Sequence, residues 1–289
     1  MDPAPTADPL ALVGALADEA WHARLAGRYE AARQMYAEAL DLAQSTLPAD
    51  APALVGVLNG IGVLGKYAGD FDDAAAAYRR AVQIEAGRQH PDADVLASLL
   101  HNVGGLEHTR GQHRSAEHAA RRGLEHRLVV HSADDPAAAG DEAALAAILV
   151  DLDRPTEARD LAEHAVAVYR SADAWSSREQ CEHDRVAALA VLAAAHHRLG
   201  DVKAATTTYR ETLAAKEQLL GATHPELVPT LNNLGVLLAD LRDLDGAATA
   251  YARALDLLEV AGLTDHPQAA AIARNLEALD HHRSRTHPS

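Results

Sequence analysis

The chain repeats itself every 42 residues, and no other feature constrains its fold as much. Gly27 in LAGRYEAARQMYAEAL, Gly69 in YAGDFDDAAAAYRRAV and Gly111 in TRGQHRSAEHAARRGL occupy one place, 42 residues apart. Asp153 follows at the same interval, Gly200 after 47 residues, and Arg242 after 42 again. Five residues past each of these six positions stands an alanine: Ala32, Ala74, Ala116, Ala158, Ala205 and Ala247. Twelve past, the residue is small: Ala39, Ala81, Gly123, Ala165, Thr212 and Ala254. Nine past, four of the six copies carry tyrosine: Tyr36, Tyr78, Tyr209 and Tyr251.

Each copy reads as two helices. Leu58, Ile61 and Leu64, like Leu231, Leu234 and Leu238, recur at three- and four-residue spacing ahead of the turn, which makes one amphipathic stripe. The alanine, tyrosine and small-residue columns mark the facing stripe of a second helix. Alanine lets two helices approach closely, and tyrosine fills the gap that small residues leave. A lone hairpin cannot bury its apolar face, so neighbouring copies must stack to form the core. Pro52, Pro136, Pro225 and Pro267 sit where the next first helix should begin, a position that tolerates a missing amide donor. The pattern predicts thirteen helices in one domain spanning 1–289. Six hairpins run at about 10–45, 52–88, 93–131, 136–171, 183–220 and 225–261, and a capping helix at 267–283.

Composition removes several function classes. The 65 alanines and single Phe describe packed helices, not sheets. One cysteine, Cys181, permits neither an internal disulfide nor a cysteine zinc cage, and fits a reducing compartment. The N-terminus lacks the basic start and longer apolar core of a signal peptide. No apolar run approaches the roughly 20 residues of a membrane span, so a cytoplasmic location is expected. A net charge of −16 repels phosphate backbones and argues against nucleic acid as a partner. Arg outnumbers Lys 23 to 3, which points to a GC-rich bacterial genome. No cofactor motif is visible.

The period, the segment HPELVPTLNNLG and the following GAATAYARAL resemble the tetratricopeptide repeat, in its kinesin-light-chain variety. The likeness extends over about residues 10–283. It implies an all-α, right-handed superhelical solenoid that serves as a non-catalytic scaffold for peptide or protein partners. The middle departs from the pattern, with Ala120 and Ala162 in the tyrosine column and Asp153 at the turn. Around SADAWSSREQCEHD there are five extra residues, among them Trp175, either a packed anchor or a contact residue.

In such arrays the first helices line a concave groove. The resemblance implies that residues ten, six and three before each turn point into it. These positions select Asn59, His101 and Asn232; Trp21; and Arg24, Lys66, His108 and His197 as candidate ligand contacts. Asn232 would bond the backbone of an extended ligand, since an amide both donates and accepts, while Asn233 would brace adjacent repeats. The row of cations and imidazoles would favour acidic groups. Against this stands a plainer reading, in which the asparagines serve stacking alone and the charged residues form a solvated face. Trp21 could equally pack against the end of its own helix. A second class of function is a metal-dependent protein or enzyme with its site between repeats three and five. His101, His108 and Glu107 would be the ligands, as helical bundles supply them. A third reading is self-association through Leu10, Leu12 and Val13 on a first helix with no evident polar cap.

Overall fold

The computed structural model describes residues 8–171, 178–263 and 267–286. Among them are thirteen α-helices and no strand. The chain divides into two compact units, 1–133 and 134–289. The first holds α1 (Pro9–Leu25), α2 (Tyr29–Thr46), α3 (Pro52–Ala68), α4 (Phe71–Ala86), α5 (Ala93–Thr109) and α6 (His113–Val130). The second holds α7 (Pro136–Asp151), α8 (Pro155–Ser171), α9 (Arg178–Arg198), α10 (Val202–Leu220), α11 (Val228–Asp240), α12 (Leu244–Val260) and α13 (Pro267–Thr286). Trp175 lies outside the described residues. No described helix is long and apolar enough to cross a membrane.

One device makes all six turns. Gly27, Gly69, Gly111 and Gly200 adopt left-handed backbone angles, with φ between 70° and 85°. Asp153 (57°) and Arg242 (64°) do the same despite their side chains. The amide that follows each one donates back to a carbonyl five residues earlier, as in Asp70 to Gly65 (2.8 Å), Arg154 to Leu149 (2.9 Å) and Asp243 to Leu238 (2.9 Å). This is the Schellman closure of a helix end, which satisfies a carbonyl the helix itself leaves unpaired.

The repeat columns are the core. All six alanines five residues past the turn are fully buried. Three of the four column tyrosines, Tyr36, Tyr78 and Tyr251, lie over glycines of first helices. A Cβ on Gly62 would come within 2.4 Å of the Tyr78 ring, and one on Gly235 within 2.6 Å of Tyr251. Gly123 replaces alanine where α6 meets the backbone of α5, 3.2 Å from the Ala97 carbonyl as measured from an added Cβ.

Two expectations need correction. Pro225 does not open α11; it opens a single 3-10 turn, Pro225–Leu227, and the α-helix begins at Val228. The reason is Pro229, whose ring would clash with the carbonyl of residue 225 if the α-helix began there. The first helix is also capped, because Asp8 accepts from the Leu10 amide at 3.1 Å. Leu10 and Leu12 are exposed, but Val13 is buried in the core and cannot contribute to a self-association surface.

Candidate functional site

In the first unit the predicted positions lie on α1, α3 and α5. Two contacts show these first helices meeting side by side. The Arg24 guanidinium of α1 stands 5.2 Å from the ring centre of Tyr67 on α3, a cation–π geometry. The Lys66 ammonium of α3 reaches α5 at Gly105, where an added Cβ would be 2.9 Å away. Lys66 is half-buried, and burial lowers its pKa. It forms no hydrogen bond or ion pair among the described residues. Arg24 likewise has a buried Nε without a hydrogen-bond partner among them. His108 follows on α5, its ring 5.5 Å from that of His113.

Ten residues before the turn, Asn59 is half committed. Its Oδ1 accepts from Asn102 Nδ2 on α5 at 2.9 Å, while its own Nδ2 has no partner among the described residues. Asn59 borders a hollow of 510 Å³ with Val55, Ser98, Glu85 and Asp94. Both carboxylates there are already engaged. Glu85 accepts from Arg88 (3.0 Å) and from the Asp92 amide (2.8 Å). Asp94 bonds Arg127, and His131 at 3.0 Å. Burial pushes the Asp94 carboxyl up, but Arg127 and His131 outweigh it and hold it below the usual range. The face is therefore polarised. Engaged carboxylates cluster at the start of α5, beside the start of α3, and Arg24, Lys66 and His108 sit in the last turns of α1, α3 and α5. His101, beside Asn102 on α5, is half-buried, and Trp21 is exposed with its ring edge-on to His22 at 4.7 Å.

The second unit repeats the asparagine bond. Asn232 Oδ1 accepts from Asn275 Nδ2 on α13 at 3.3 Å, again 43 residues on. Asn233 Nδ2 donates to the Tyr209 hydroxyl of α10 at 3.2 Å. His197 is half-buried in the last turn of α9, and its neighbour His196 lies 3.9 Å from Glu163 of α8.

Family models described as tetratricopeptide repeat match residues 20–85 and 184–259, and a further one matches 143–172. The chain belongs to the tetratricopeptide-repeat family. Comparison with curated proteins gives no match. Among solved structures, this tetratricopeptide-repeat protein is similar to the apo form of RapI, with a TM-score of 0.71 and 14% identity over 95% of this chain and 72% of that one. It is also similar to nearly identical TPR-like repeats of a kinesin-light-chain candidate from Podosopora anserina. There the TM-score is 0.61 and the identity 17%, over 74% of this chain and 99% of that one. A Rap protein complexed with competence and sporulation factor gives 0.62 and 14%, over 95% and 72% of the two chains.

Within the repeat frame, the asparagines ten before the turn do brace neighbouring repeats, each spending its acceptor and keeping its donor. Asn233 braces as well, through Tyr209. The suggested metal ligands His101, His108 and Glu107 do not bring their donor atoms within 4.8 Å of one another. Glu107 instead lies 3.7 Å from Arg110. Sequence reasoning missed Tyr67, Asn102, Asn275 and Gly105. The asparagine partners were findable, because both pairs share one 43-residue spacing. The stacking of Arg24 on Tyr67 had no sequence signal, because it depends on two helices meeting.

Proposed function

We propose that this protein is a non-catalytic interaction scaffold that holds an extended, acidic peptide or protein segment across its first helices. The half-buried, unpaired Lys66 carries the reading. A chain with 42 acidic side chains gives this ammonium no counter-charge among the described residues. A ligand carboxylate would supply one through a charge-assisted hydrogen bond, the stronger kind. Arg24 and His108 flank it in the same row. Asn59 would donate its Nδ2 to a ligand backbone carbonyl, since its Oδ1 is engaged by Asn102, and Asn232 offers the same donor within its own unit. His101 would contribute a further contact in the first unit, and His197 one in the second. A repeat protein of like fold complexed with a factor supports the general mode.

Selection of peptides from a random library on the immobilised full chain tests this. Recovered peptides should be enriched in Asp and Glu, and calorimetry should show Lys66→Ala weakening them by about 1.5–3 kcal/mol. Asn59→Leu should weaken acidic and neutral peptides alike. No acidic enrichment, or equal affinity for wild type and Lys66→Ala, would overturn the assignment.

A further inference from the structure

A second recess in the first unit lies outside that row. Helices α4 and α6 flank a cavity of 590 Å³ floored by α5. Its floor is apolar, made by Leu100, Val103 and Leu106 of α5, with Tyr78 of α4 in the wall beside them. Its rim is basic: Arg79 on α4, and Arg114, His118 and Arg122 on α6. All four are exposed, and none forms a hydrogen bond or ion pair among the described residues. Glu107 is the one acid in the wall, and it already faces Arg110. The Tyr78 hydroxyl, in the same wall, is buried and has no hydrogen-bond partner among the described residues.

The repeat supplies an internal control. At the positions equivalent to Arg79, Arg114, His118 and Arg122, the first pair of hairpins carries Ala37, Asp72, Ala76 and Arg80. The last pair carries Arg210, Asp245, Thr249 and Arg253, with Arg253 held by Glu217 at 2.5 Å. Stacking alone therefore does not require a basic rim: both of these copies have an aspartate where Arg114 stands, and the first has alanine at two further positions.

We infer that this recess binds a small organic anion with an apolar body, its charged end on the arginines and its body over Leu100, Val103 and Leu106. The size argues for a small molecule over a protein segment. The wall from Ala75 to Gln83 is about 12 Å long at 1.5 Å per helical residue, and 590 Å³ falls within the roughly 300–1,000 Å³ of small-ligand sites. Arginine suits the charged end, since its planar fork pairs with carboxylate or phosphate oxygens two at a time.

Dodecanoate, kept below its micellar concentration, is the probe, titrated into the full chain by calorimetry. Dodecanol tests the apolar body alone, and acetate the charge alone. One saturable site is expected, at least about tenfold tighter for dodecanoate than for either control. Arg79→Glu and Arg114→Glu should each lower that affinity about tenfold or more, with melting temperature unchanged because both side chains are exposed. Arg210→Glu, the matched change in the other unit, should leave it unaltered. Equal binding of dodecanol, equal loss in Arg210→Glu, or undiminished affinity in both rim variants would overturn the assignment.

Discussion

Single residues in this repeat do two jobs, and the asparagines show how the jobs divide. Asn59 and Asn232 give their carbonyl oxygens to the next repeat and keep their amide hydrogens for something else. The cation row has a comparable double reading. A positive group in the last turn of a helix complements its dipole by about 0.3–1 kcal/mol without any ligand. Lys66→Ala separates the two: a helix-end role alone lowers the melting temperature and leaves peptide affinity untouched. Another residue ties the second unit to pH. His164 places Nδ1 2.5 Å from Glu142 and Nε2 3.3 Å from Asp134. The hydrogen bond to Glu142 raises its pKa chiefly, against burial, while burial holds the Glu142 carboxyl up. A histidine raised in the folded state stabilises fully below its unfolded value of about 6.5, and that contribution disappears as pH climbs through the folded value. The wild-type melting temperature should therefore fall above pH ~6.5 more steeply than that of His164→Gln, read by calorimetric scans. Parallel profiles would remove His164 from the account.

At the scale of the element, the turn carries the testable energy. Six helix ends close through one left-handed residue, and two of those residues are not glycine. Left-handed backbone costs a side-chain-bearing residue about 1–2 kcal/mol. Gly200→Ala should thus lose about that much in urea unfolding, whereas Arg242→Gly should gain stability, offset in part by glycine's greater chain entropy. A destabilised Arg242→Gly would mean that its side chain holds the turn by contacts worth more than the strain. Gly62→Ala is a separate case. Its new methyl would meet the Tyr78 ring at 2.4 Å, and overpacking of this kind costs about 1–3 kcal/mol. These turns were legible in the sequence because a 42-residue register fixes them even where Asp153 and Arg242 stand in for glycine. Periodicity missed the start of α11, because it marks a helix's apolar face; the signal for the tightened first turn was Pro229, four residues after Pro225. The basic recess was hidden for a related reason. Arg79 and Arg114 are 35 residues apart, and each looks like an ordinary surface charge until α4 and α6 flank the same floor.

For the molecule as a whole, charge sets the kinetics of any acidic partner. The chain carries −16 overall, yet the proposed contacts are Arg24, Lys66 and His108, so far and near fields have opposite signs. The screening length is about 30 Å at 0.01 M salt and about 8 Å at 0.15 M. An acidic peptide approaching at low salt feels the net repulsion before it reaches the cations, and its association is slowed. Raising the salt removes the long-range term first, because the contact pairs lie well inside even the shorter length and Lys66 is half-buried. Stopped-flow association of an acidic peptide should therefore quicken from 0.01 to 0.15 M salt, within the one to three decades over which such rates vary. A basic peptide of equal length should slow over the same range. Dissociation of the acidic peptide should change less than its association. If instead its association slows as salt rises, the attractive patch governs the approach as well as the contact, and the charge of the whole chain does not reach the ligand.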